Sequence, residues 1–141
     1  MELLLVVLGA LLAIGGGFLQ QRLQQSLDQE KEENQLLFEA EGLLQRYHEN
    51  RLRYADCPEA PVVLPQIQSK CKLELEEFSL RMELQRGAIR IKSRKNRGLA
   101  LCILKFAIDE GLRTDEERSS LQEAVRCAIN QELVSDYEAQ E

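Results

Sequence analysis

Tryptophan is absent, histidine occurs once, and the three prolines, Pro58, Pro61 and Pro65, fall within one short stretch. With no second histidine and no paired carboxylates fixed by spacing, general-base work cannot be assigned to His48, which sits off the neighbouring apolar stripe and reads as a surface side chain. No glycine loop that would cradle a phosphate occurs, and no nucleophile signature or ligand cluster. The expectation is therefore a protein that is not an enzyme, with no cofactor and no metal. Aromatic residues are few, and acidic residues outnumber basic ones 24 to 18, a net charge of −6 that disfavours nucleic acid as the partner of the whole chain. No two of the four cysteines, Cys57, Cys71, Cys102 and Cys127, are separated by just two residues, which argues against a zinc knuckle or a thioredoxin-like pair. Outside the cytosol two disulfides become possible, Cys57 to Cys71 across the proline stretch and Cys102 to Cys127 across a hairpin. Cys127 falls off the apolar stripe of its helix, however, and the reading preferred to disulfides is four buried free thiols acting as small hydrophobes.

What the chain does have is at its front. From Leu3 to Leu19 there are seventeen residues without a charge or a strongly polar side chain. That is enough for a helix to cross a bilayer, and helix is the state in which every backbone amide bonds within its own segment. Residues 1–20 thus read as a transmembrane anchor. A cleaved signal peptide is the alternative, because Ala13-Ile14-Gly15 has small residues at suitable spacing, although the start, Met1-Glu2, lacks a basic residue. A buried helix of a soluble protein is the other alternative. Gly9, Ala13 and Gly17 recur every four residues and share one face, on which a second helix backbone, from another copy or a partner, can come close. The run Gly15-Gly16-Gly17 also weakens the helix and invites a bend.

Glu2-Leu3-Leu4-Leu5-Val6-Val7 followed by Gly9 resembles the start of a mature type IV pilin helix, in which Glu-Leu precedes an apolar run. The resemblance covers about a dozen residues and implies a pilin-like subunit whose long helix leads into a sheet. The chain departs from that pattern in lacking a Gly-Phe-Thr-type processing site before the glutamate, and its C-terminal half reads as helical.

Residues 21–55 read as a juxtamembrane amphipathic helix. Leu19, Leu23 and Leu27 recur every four residues, and Leu37, Ala40, Leu44 and Tyr47 recur at three and four. Between them Asp28 to Gln35 is almost wholly polar, which interrupts any coiled-coil heptad. Residues 56–65 form a proline-containing connection, with Val62, Val63 and Leu64 expected to tuck against the body.

Residues 66–141 read as a small, mainly helical domain. Two readings compete over 66–93. Leu73-Glu74-Leu75, Leu80 to Leu84 and Ile89-Arg90-Ile91 alternate apolar and charged residues, which suits a short β-hairpin around residues 73–92 turning at Gln85-Arg86-Gly87. The residue types themselves prefer helix. Arg86, Arg90, Lys92, Arg94, Lys95 and Arg97 then make the sharpest charge feature in an acidic protein. They suit anionic lipid headgroups or an acidic partner, with nucleic acid set back by the lack of an aromatic among them. Gly98 to Ile108 is apolar nearly all round and is expected to be the buried central helix. Gly111 is a natural stop, and Thr114 to Glu117 spells a capping box. Leu121, Ala124, Val125, Ala128 and Ile129 should face inward from the last helix, completing an antiparallel helical hairpin.

The fold class expected is mainly α, and the function a single-pass membrane-anchored interaction or scaffold protein, an accessory subunit of a membrane complex. The alternative is a tethered binder of an anionic ligand through residues 86–97. Expected partners are membrane lipid and other membrane-complex proteins, or a second copy through the anchor. Arg22 and Lys31 follow the apolar run while only Glu2 precedes it, so the positive-inside rule places the body in the cytosol. The cysteines suit the other side.

Overall fold

Leucine, glutamate, glutamine and arginine set the local preference, and helix is what they form. A computed structural model of the chain describes residues 2–59, 63–110 and 113–138. Among the described residues there are four α-helices: α1 (Glu2–Ala55), α2 (Leu64–Arg90), α3 (Arg97–Ile108) and α4 (Asp115–Glu138). The chain divides into two units, residues 1–33 and residues 34–141. The first, where described, is helix throughout. The second is built from the C-terminal part of α1 together with α2, α3 and α4.

Among the described residues there is no strand, so of the two readings of residues 66–93 the short β-hairpin around 73–92 falls and helix stands through Arg90, and the sheet implied by the pilin resemblance is missing there too. The reason is geometric. Residues two apart on a helix point about 200° apart, so an apolar residue at every second position supplies two opposite faces. Leu73, Leu80, Leu84 and Ile91 are buried, while Leu75 and Ile89 are exposed and Met82 is half-buried. α2 starts at Leu64, and Pro65 lies in its first turn, where a missing N–H costs no hydrogen bond. Val63 and Leu64 are exposed and do not tuck against the body; Val62 lies outside the described residues.

The core of the second unit draws on all four helices: Leu37, Leu44 and Tyr47 from α1, Leu80 and Leu84 from α2, Ile103 and Phe106 from α3, and Leu121, Val125 and Ile129 from α4. Tyr47 meets Phe106 edge to face, ring centroids 5.4 Å apart, a favoured aromatic geometry. Pairings along α1 fall as those along its neighbours rise. Tyr54 meets Glu74 and Tyr47 meets Glu77 on α2, while Gln45 meets Gln122 and Glu41 meets Arg126 on α4. The C-terminal part of α1 is thus antiparallel to both. α3 packs on α2 and on α4. It is not enclosed all round: Ala100, Ile103, Phe106 and Ala107 are buried while Leu101, Cys102 and Ile108 are exposed. Ala124 of α4 is exposed as well, and Ala128 half-buried, so the inner face is narrower than expected.

The connection into α4 follows the capping pattern in the sequence. The Glu117 N–H donates to the Thr114 hydroxyl at 3.3 Å, and Asp115, Glu116 and Glu117 occupy the first turn, where the helix dipole favours negative charge. Gly111 lies outside the described residues. Thr114→Ala should lower stability by about 1 kcal/mol, read as a shift in the urea midpoint at unchanged slope.

Candidate functional site

Chemistry-bearing residues gather in three places. The first is the apolar N-terminal part of α1. Among the described residues α1 is the one helix long and apolar enough to cross a membrane, and none of that window is buried by protein. Gly9, Ala13 and Gly17 are all exposed there, and a Cβ placed on Gly9 or Gly17 would meet nothing within 4 Å. Packing within the chain therefore does not require glycine at either position.

The second is the basic corner. Arg86 and Arg90 lie on the last turns of α2, Lys92, Arg94 and Lys95 on the connection, and Arg97 at the start of α3; all six are exposed. Arg90 suits the negative end of α2, but α3 has no acidic residue in its first turn and two cations beside it, the reverse of what its dipole favours. The corner is shaped by Asn96, which is buried and whose N–H donates to the Ser93 hydroxyl at 3.2 Å. The arrangement concentrates positive charge on a fixed turn.

The third, not anticipated from sequence, is a seam of polar residues between the helices. Arg113, with a side chain only 7% exposed, lies 3.6 Å from Glu77, which also accepts from the Tyr47 hydroxyl at 3.5 Å. Asn50 is buried and donates through Nδ2 to the Leu73 carbonyl at 3.3 Å. Arg118 donates to Gln122 at 2.7 Å, and Gln122 donates to Gln45 at 3.2 Å. His48 is half-buried, its Nδ1 3.4 Å from the Asp115 carboxylate, and so is not the lone surface residue expected. The one available signal was Asn50 itself, three residues beyond Tyr47 on the buried stripe of α1. Its position marked a polar contact within the core.

Burial, then the charge of Glu77, push the Tyr47 phenol above its ordinary 10.0. The folded chain therefore holds this proton where the unfolded chain has lost it. The corresponding stability is full below pH 10 and declines as pH rises through the folded value. Tyr47→Phe should remove that alkaline decline while costing only about 0.5–1.5 kcal/mol near neutrality, measured by urea unfolding on both sides of the transition.

All four thiols are free. Cys71, Cys102 and Cys127 are exposed and Cys57 half-buried, so they do not act as core hydrophobes. The Cys57 thiol donates to the Arg53 carbonyl at 3.5 Å. Among the described residues no group of three or more His, Cys, Asp or Glu side chains is placed to hold a metal ion. No family model, no curated protein and no solved structure matches the chain.

Proposed function

We propose that the chain is a single-pass membrane-anchored interaction protein, an accessory or scaffold subunit of a membrane complex, and not an enzyme. One observation carries the reading. From Leu4 to Leu19 the large apolar side chains of α1 stand uncovered, Leu5, Val6 and Ile14 at 71–72% exposure. A run of that length does not persist against water, whereas in hydrocarbon it is at its lowest free energy. What remains is a small four-helix body whose polar residues pair with one another between helices. Such a body serves by presenting surfaces. Gly9, Ala13 and Gly17 are the positions assigned to helix contact within the bilayer, with another copy or with a partner's span. Affinity capture of the full chain from mild detergent tests this: a defined set of membrane proteins in fixed ratio is expected, and recovery of the chain alone counts against it.

The exposed basic corner supports a second reading, a tethered binder of anionic headgroups through residues 86–97. Each Lys or Arg near an anionic surface is worth about 1 kcal/mol. Binding of the solubilised chain to phosphatidylserine vesicles should weaken steeply with added salt, and reversal of Arg94 and Lys95 to Glu should abolish the salt dependence. Salt-independent association would set this reading aside.

A further inference from the structure

α2 has a second apolar face. Opposite the buried Leu73, Leu80, Leu84 and Ala88 runs a line whose spacing alternates four and three without a break: Leu64, Gln68, Cys71, Leu75, Phe78, Met82, Gln85, Ile89. That is the a/d seam of a coiled coil. Leu64, Leu75, Phe78 and Ile89 are 55–70% exposed, and an outer helix face facing only water is polar. The line is also palindromic in character about its centre, between Leu75 and Phe78. Reading outward, Leu75 is matched by Phe78, Cys71 by Met82, Gln68 by Gln85 and Leu64 by Ile89.

The edge of the seam carries a complementary pair of charges. Glu74 and Arg81 are seven residues apart, two turns along the same edge. Arg81 stacks over the Phe78 ring at 5.8 Å, yet its Nε is shielded from solvent and makes no hydrogen bond. Glu74 accepts one bond, from the Tyr54 hydroxyl at 3.1 Å, and a carboxylate can take several.

We propose that this face is the contact between two copies of the chain, α2 of one lying antiparallel on α2 of the other. In that register Leu75 faces the partner's Phe78, Cys71 the partner's Met82, and Leu64 the partner's Ile89, while the one polar layer pairs Gln68 with the partner's Gln85. Glu74 then meets the partner's Arg81, twice over, because a two-fold contact repeats every interaction. Charge disfavours a parallel pairing, since it sets Arg81 against the partner's Arg86. This contact is separate from the anchor and from the face of Gly9, Ala13 and Gly17.

The test uses the full chain in detergent with Cys57, Cys102 and Cys127 replaced by serine. Met82→Cys should give a covalent dimer with the native Cys71 under mild oxidation. Within one chain these positions are eleven residues apart on a helix, about 16 Å, so no internal bond can form. Adding Cys71→Ser should abolish the cross-link. Glu74→Arg and Arg81→Glu should each weaken association about tenfold or more, since the two-fold doubles each change, and the two together should restore it. A monomer by light scattering overturns the proposal. So does a dimer that resists the Cys71 bond or is indifferent to both charge reversals, which would mean association through the anchor instead.

Discussion

Replacing Leu44 by alanine is expected to destabilise the four-helix body by about 2–5 kcal/mol. Leu44 is fully buried on the stripe that also carries Leu37 and Tyr47, and helices pack on it from both sides. The loss combines transfer of the side chain from the core with the cavity left behind, and three surrounding helices limit how far the site can collapse. Net stability of a domain this size is about 5–15 kcal/mol, so the variant should approach the edge of folding. Chemical denaturation of wild type and variant should give the same slope and a markedly lower midpoint for the variant. Phe38→Ala, at an exposed neighbour on the same helix, should change the midpoint little.

The second large effect concerns the other unit. Leu8 and Leu12 are 51% and 69% exposed, so in a protein surrounded by water their replacement by arginine would be nearly silent. In a membrane span each arginine near the helix centre costs about 2.5–3.5 kcal/mol on the insertion scale, and the pair share one face where neither can be sheltered by the other. Leu8→Arg with Leu12→Arg should therefore move the chain from the membrane fraction to the supernatant, or leave it degraded. The two outcomes diverge because the same exposure has opposite meanings in water and in lipid.

Much of this was readable before any fold was known, and the reasons differ from element to element. The stripe Leu37, Ala40, Leu44 and Tyr47 is buried as its spacing implies, because a single apolar face on a polar helix has one way to dock. Thr114 and Glu117 read clearly for a related reason: capping chemistry is local and depends on a few adjacent residues. α2 was ambiguous because it is apolar on two sides, and period two in sequence does not separate a strand with one buried face from a helix with two. α3 was expected to be enclosed from composition alone, but a small domain has no room to surround its shortest helix, and Leu101 and Ile108 remain outside. The polar seam through Tyr47, Glu77 and Arg113 joins residues from three separate parts of the chain, and no local pattern announces a pairing of that kind. The basic corner was legible as charge; that a buried Asn96 fixes its turn was not.

As proposed, the N-terminal part of α1 holds the intact chain in lipid. Alkaline carbonate extraction of membranes from cells expressing the full chain, with the N-terminus of the recovered protein verified by mass, tests it most directly. The uncleaved chain should remain in the pellet and float with lipid on a density gradient. Recovery of the uncleaved chain in the supernatant, or of a chain shortened within its first twenty residues, would contradict it.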